Sequence, residues 1–455
     1  MLKDWKIIFV LIYYLVFCAI FLSITPVYET PDEDLHLQYI NYVSFYNTLP
    51  NQYEGIVNKE KFVGQGHQHP LYYIITGSLI SLFKSDCRLI INPVPNHMHV
   101  WFGGTAGKVP EYNHINENIF GSSHDEHLFY LLRILSIIFG LINIIFIYKI
   151  ARIIFSSAQS PAYWALFMAF FAASLPQYLF ISVSVNNDML ANLFSTLSIY
   201  IIFKIFNDSE NIRYYIILGI TLGLGFLTKK TLLFLVPGFI LAVIYLFFKK
   251  ENLKNLLKYF SVSLAICFLI CGWFFIRNYI LYGGFLGSQM ETDTMPYLVE
   301  RESIFSKFLF VKFLPGMYHS FFASFGWMNV KQPLFSYALF SFVIILSLNG
   351  IILKLYKEKF KNVNFVFSLI LFLICLVGIY YFNLTFKQTQ GRYLFPVLSV
   401  ISVLIVSGLI KTQSIIRTEK LKNLFPLIII FILCFLDVVS VIVQINFYHN
   451  PGNYL

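Results

Sequence analysis

The chain has 455 residues, 58% of them hydrophobic and only 12% charged, and its 33 Lys and Arg exceed its 23 Asp and Glu for a net charge of +10. A soluble protein cannot hide that much apolar surface, so the composition excludes an ordinary globular enzyme and points to an all-α polytopic membrane protein. Its basic excess follows membrane topology and leaves no nucleic-acid footprint.

Residues 7–24 are the first apolar run, close to the ~20 residues that cross a bilayer core as a helix. The preceding MLKDWK and the lack of a small-residue cleavage site after the run predict a retained first helix, with the mature chain starting near Met1. Further runs at about 128–148, 162–183, 189–206, 212–228, 231–248, 259–280, 334–353, 363–382, 393–410 and 424–446 bring the expected spans to eleven. Two large polar segments, 25–127 and 281–333, interrupt them. With the N-terminus inside, eighteen of the 33 basic residues but only six of the 23 acids fall on the inner face, which places both large segments outside. No repeat, low-complexity tract or linker divides the chain, so 1–455 reads as one integral membrane domain.

Only Cys87 of the six cysteines lies outside a span, so no intramolecular disulfide can form on the outer side. Cys267 and Cys271 share a helix face, and Gly219, Gly223 and Gly225 make a small-residue stripe. Both patterns suit close helix packing better than a redox pair or a phosphate cradle.

Where the first span ends stands a dense acidic turn, Thr30-Pro31-Asp32-Glu33-Asp34. Thr30 as N-cap, Pro31 at the first helical position and Glu33 at the third would form a capping box. The helix that follows carries an apolar stripe of Leu35, Tyr39, Tyr42, Tyr46 and Leu49, suited to lying on the membrane surface. At 100° per residue, Asp32 and His36 border that stripe while Glu33 and Asp34 point away. Capping accounts for Glu33 and solvation for Asp34, but neither demands a carboxylate at Asp32, which is therefore the candidate for chemistry. His36, one turn on, could orient it or join it in a metal site.

All ten histidines fall on the expected outer side, eight of them within or at the edge of the first polar segment. His67-x-His69 and His97-x-His99 would each place two imidazoles on one side of an extended chain, yet neither matches a known zinc spacing. A divalent cation is the one cofactor the sequence suggests, with Asp32 and His36 as its candidate ligands. Lys229 and Lys230 interrupt an apolar stretch at the expected outer face, and Arg277 and Arg392 also lie at outer ends of spans. Each alone could snorkel to headgroups; together, beside an acidic loop, they suit an anionic lipid.

Pro31-Asp32-Glu33 with His36, then His69-Pro70-Leu71-Tyr72-Tyr73, Asn186-Asn187-Asp188, Thr228-Lys229, Arg277-Asn278, Phe325-Gly326-Trp327-Met328-Asn329 and Gly391-Arg392-Tyr393-Leu394-Phe395-Pro396 resemble the pattern of domain-of-unknown-function family 2142. That family is in turn similar to the GT-C membrane glycosyltransferases. The resemblance runs from the first span to the tenth and departs at His69, which stands where the family has a second proline. It implies a GT-C-like fold with surface-lying helices in the first outer loop, and transfer of a sugar from a polyprenyl-phosphate donor to a glycan, lipid or protein acceptor outside the membrane. Asp32, and with it Glu33, would be the catalytic or metal-binding carboxylates. His67, His69, Tyr72, Asn187, Asp188 and Trp327 would contact substrate.

The chemistry demanded is one displacement at the anomeric carbon, hence inversion, with Asp32 as general base or metal ligand and Lys229, Lys230, Arg277 and Arg392 on the donor phosphate. A transporter or flippase of a lipid-linked saccharide is the alternative, although no duplicated halves mark one. The expected location is the cell envelope, with a plasma membrane as the default.

Overall fold

The computed structural model describes residues 5–58, 63–91, 94–95, 112–113, 123–156, 160–249, 251–294, 299 and 301–449. Helix α1 (Ile7–Ile24) leads into a cap of α2 (Glu33–Tyr46), α3 (Gln52–Val57) and α4 (Leu71–Phe83). The chain continues through α5 (His124–Ile154), α6 (Pro161–Ala173), α7 (Pro176–Ser182), α8 (Asp188–Asn207), α9 (Ile212–Phe226), α10 (Leu235–Phe248) and α11 (Leu253–Tyr282). After α12 (Ser288–Thr294) and α13 (Leu314–Phe322) come α14 (Leu334–Glu358), α15 (Val363–Asn383), α16 (Leu398–Ser414) and α17 (Glu419–His449). Short 3-10 turns, Lys230–Phe234 and Gly391–Val397, lead into α10 and α16. Two small antiparallel pairs complete it, β1 (Val94–Pro95) with β2 (Tyr112–Asn113) and β3 (Ser324–Phe325) with β4 (Val330–Lys331).

Among the described residues nine helical segments are long and apolar enough to span a membrane, or ten if α6 and α7, bent by 64°, form one broken span. The break falls at Pro176, whose missing N–H cannot continue the helix before it. The expected eleventh span is α9, which at 15 residues is shorter than a bilayer crossing. The chain is a multi-pass integral membrane protein. Its outward faces carry large apolar side chains such as Phe268, Leu269, Ile352 and Phe431, as lipid-facing surfaces must.

The segments ending in α8 and α16 are the most buried of these spans, 78% and 89% over their apolar windows, so they form the centre of the bundle. Glycine lets backbones close in around them. A Cβ on Gly350 of α14 would meet Gly408 O of α16 at 1.8 Å, and one on Gly219 of α9 would meet Ser263 O of α11 at 2.6 Å. A Cβ on Gly223 would likewise meet Cys267 O of α11 at 3.1 Å, whereas one on Gly225 would meet Leu232 and Phe194.

The acidic turn differs from the capping-box expectation. Helix α2 begins at Glu33, and the residue before it is Asp32, whose side chain caps nothing. Thr30 Oγ1 meets Ser184 Oγ at 2.8 Å instead. Nor does Glu33 point away: it is wholly buried, and the packed face of α2 is Glu33, His36, Leu37, Tyr39, Ile40, Val43 and Ser44. Leu35 and Tyr42 are only half-buried and Tyr46 is exposed. Helix α4 causes the rotation, since Gly77 brings it within van der Waals reach of Val43 and Ser44 and makes a partner that no single-helix pattern contains. Asp34 is half-buried rather than solvated, and burial pushes its carboxyl up. The suggested pair His97 and His99, with His114, lies outside the described residues.

Candidate active site

Four charged side chains from distant parts of the chain converge at the end of the bundle where α1 hands over to α2. Asp32 precedes α2, Asp188 opens α8, Lys229 lies in the turn between α9 and α10, and Arg392 lies in the turn before α16. Lys229 Nζ–H donates to Asp188 Oδ1 at 2.5 Å, and Arg392 Nη2–H donates to Asp32 Oδ2 at 2.6 Å. Arg392 Nη1 stands 3.7 Å from Asp188 Oδ2, so carboxylates and cations alternate in one formally neutral cluster.

The local sequence explains each placement. Asp32 adopts φ 64°, ψ 10°, a left-handed conformation that Asp tolerates better than most residues. Asp188, at the first position of α8, faces the positive end of the helix dipole, and its N–H donates to Asn186 Oδ1 at 2.9 Å. Arg392 follows Gly391, where a Cβ would strike Phe321 N at 2.1 Å, so only glycine fits beside α13. The side chains of Asp188, Arg392 and Lys229 are 3%, 5% and 9% exposed, whereas that of Asp32 is 26% exposed. Asp32 is therefore the carboxylate an incoming group reaches. The ring of Tyr393 flanks both cations, 5.8 Å from Lys229 Nζ and 5.7 Å from Arg392 Cζ.

His36 lies behind this cluster. Its Nδ1 shares a 2.7 Å hydrogen bond with Tyr73 OH rather than with Asp32. Burial, opposed by Asp32 and aided by Lys229 and Arg392, pushes its pKa down to about 3, which leaves a neutral imidazole. Tyr73 in turn stacks on Tyr39 at 3.8 Å.

The remaining candidates separate. Lys230 pairs with Glu291 at 2.9 Å and reaches Ser288 Oγ at 3.1 Å; His67 lies beside that pair, its pKa lowered by burial. Arg277 donates to Leu49 O and Pro50 O, which ties α11 to the α2–α3 connection. His69 bonds Phe226 O through Nδ1, and burial pushes its pKa down to about 4. Asn187 Nδ2 bridges Gln68 Oε1 at 3.3 Å and Thr228 O at 3.2 Å, and Trp327 Nε1 donates to Tyr28 O at 3.3 Å. Tyr72 is wholly buried in the core. Glu33 turns inward to Arg133 of α5. Sequence reasoning named Tyr73 only as part of a motif and missed Arg133. A cation inside the apolar run 128–148 was the available signal for Arg133.

A divalent ion does not suit these groups. The Oδ2 of Asp32 and the carboxylate of Asp188 already face Arg392 and Lys229, and His36 gives its Nδ1 to Tyr73. Among the described residues no set of three His, Cys, Asp or Glu side chains could hold a metal.

A family model described as dolichyl-phosphate-mannose-protein mannosyltransferase matches residues 119–274. No curated protein matches the sequence. Among solved structures, the chain is similar to the apo oligosaccharyltransferase of Archaeoglobus fulgidus, with 15% identity and a TM-score of 0.53 over 97% of this chain and 56% of that one. It is also similar to AglB of the same organism in complex with an inhibitory peptide and a dolichol-phosphate, with 15% identity and a TM-score of 0.52 over 97% and 56%. ArnT from Cupriavidus metallidurans bound to undecaprenyl phosphate aligns with 12% identity and a TM-score of 0.53 over 99% and 76%. The chain thus spans just over half the length of the archaeal enzyme. Its fold is similar to that of the GT-C membrane glycosyltransferases.

Proposed function

We propose that the protein transfers a sugar from a polyprenyl-phosphate-linked donor to a hydroxyl of a glycan, lipid or protein acceptor on the outer face of the membrane, in the cell envelope. The observation that carries this reading is the cluster itself: two carboxylates and two cations at one end of a GT-C bundle, with Asp32 the accessible member. ArnT and AglB, whose structures hold undecaprenyl phosphate and a dolichol-phosphate, support the donor class. The order of motifs along the chain further suggests domain-of-unknown-function family 2142.

In this mechanism the donor phosphate takes up Lys229 and Arg392, drawing Arg392 away from Asp32. Asp32 then accepts the proton of the acceptor hydroxyl as its oxygen attacks the anomeric carbon. The bond from that carbon to the phosphate oxygen breaks, its electron pair stays on the phosphate, and the two cations hold the charge. A single displacement inverts the anomeric configuration. Asp188 keeps Lys229 and Arg392 in place, and neutral His36 fixes the floor of the site through Tyr73. Lys230 is assigned to the acceptor side together with His67, because it is held by Glu291 and not by the carboxylates of the cluster. Arg277 and Trp327 hold the cap, and Glu33 lies too deep to act on substrate. No step requires a metal.

Liposomes containing the purified protein, radiolabelled polyprenyl-phosphate sugars and a membrane extract as acceptor provide the test. The wild type should transfer label, and Asp32→Asn should transfer it about 10²–10⁴-fold more slowly. Equal turnover by the two would remove Asp32 from the chemistry. Movement of intact donor between leaflets without transfer would favour the flippase reading.

A further inference from the structure

Glu33 and Arg133 form an ion pair with both side chains fully buried. Arg133 Nε–H donates to Glu33 Oε1 at 2.9 Å and Nη2–H to Oε2 at 2.7 Å, a two-pronged arrangement. Their other bonds have definite destinations. Glu33 Oε2 accepts Tyr28 N–H at 3.0 Å and Oε1 accepts Val185 N–H at 2.8 Å. Arg133 donates to Thr25 O at 2.7 Å and Pro26 O at 2.8 Å.

Among the described residues these hydrogen bonds reach two segments. One is the turn from Thr25 to Glu33, which ends beside Asp32; the other runs from Ser184 to Asp188. Within the second segment Asn186 Nδ2 donates to Ser184 Oγ at 2.9 Å while its Oδ1 holds Asp188 N–H, so the Val185 anchor is carried on to Asp188. Stability alone does not account for the pair, because apolar residues of equal volume commonly stabilise a buried site as well. What they cannot do is bond two separate backbones at once.

We propose that Glu33 and Arg133 are positioning residues that set the separation of Asp32 and Asp188, and so the geometry into which donor phosphate and acceptor must fit. Touching no substrate, they act through the backbones on which the two carboxylates stand. The inference rests on the glycosyltransferase reading for its kinetic test, though not for its structural one.

The test uses the full chain in lipid nanodiscs, with Glu33→Asp, one methylene shorter, and Arg133→Lys, which keeps the charge but loses the fork. Both should melt cooperatively. With undecaprenyl-phosphate-linked sugars as donors, kcat should fall about 100-fold, the scale of an ångström-sized misplacement, while donor KM stays within about threefold. Wild-type kcat in either folded variant would overturn the proposal. In the unsubstituted protein, the amides of Tyr28 and Val185, which share one carboxylate, should exchange with deuterium at a common slow rate. Independent openings would overturn the proposal even if neither variant folded. A wild type that transfers no sugar would sink the glycosyltransferase reading, and amide exchange would then decide the fate of the pair.

Discussion

Asp32 can serve as a base only once something else satisfies Arg392, so the residues of the cluster should divide by kinetic parameter. Lys229→Ala and Arg392→Ala should each raise the donor KM about 10- to 100-fold, since a hydrogen bond to a charged group contributes about 1.5–3 kcal/mol. Steady-state kinetics against donor concentration would show this, and wild-type KM in both would reduce them to partners of the two carboxylates. His36 gives a pH signature. Its pKa is lowered from 6.5 to about 3, so between those values the unfolded chain binds a proton that the folded chain does not. Stability is then full above the unfolded value and declines as pH falls, by up to about 1.4 kcal/mol per unit. His36→Gln, which keeps a partner for Tyr73, should flatten the melting temperature between pH 6.5 and 5, and an unchanged slope would assign that acid sensitivity elsewhere.

Asp32, Asp188, Lys229 and Arg392 were each legible in the sequence, as a carboxylate that capping did not require, as part of an Asn-Asn-Asp motif, and as cations at span ends. Their pairing was not, because it joins positions up to 360 residues apart. Glu33 was misread for the same reason: its partner Arg133 is 100 residues away, and a local cap was the simplest use of its charge.

Among the helix glycines of the described residues, the closest approach is that of Gly350 in α14 to Gly408 in α16. Gly350→Ala should destabilise the protein by about 1–3 kcal/mol, because the added methyl must displace backbone. Gly378→Ala, with nothing within 4 Å of the new methyl, should leave thermal melting nearly unchanged. Equal melting of the two variants would mean the seam can part without cost. Such seams were partly readable, since small residues at helical spacing mark close packing. The rotation of α2 was not, because its buried face is set by α4 rather than by its own apolar stripe.

At the scale of the whole molecule, the charge distribution predicts an inner N-terminus and outer polar segments. Cys87 reports on this directly: it is partly exposed in the first polar segment, while Cys18, Cys267, Cys271 and Cys375 are buried and Cys434 lies in α17. A membrane-impermeant maleimide should label Cys87 in right-side-out vesicles and not in inverted ones. The reverse pattern would invert the topology and place the proposed transfer on the cytoplasmic face.

By itself the sequence determined the class of molecule, its membrane-length segments with one too many at α9, and the residue types the site would need. Each follows from local physics: apolar runs must leave water, and charges at span ends must find headgroups, ligands or one another. Tertiary structure decided the rest. It bent one span at Pro176, shortened another to α9, and buried Glu33 against Arg133. It also closed Asp32, Arg392, Asp188 and Lys229 into a single neutral cluster. Those outcomes depend on which distant helices share a wall, and Coulomb attraction selects among partners only after packing has brought them within a few ångströms.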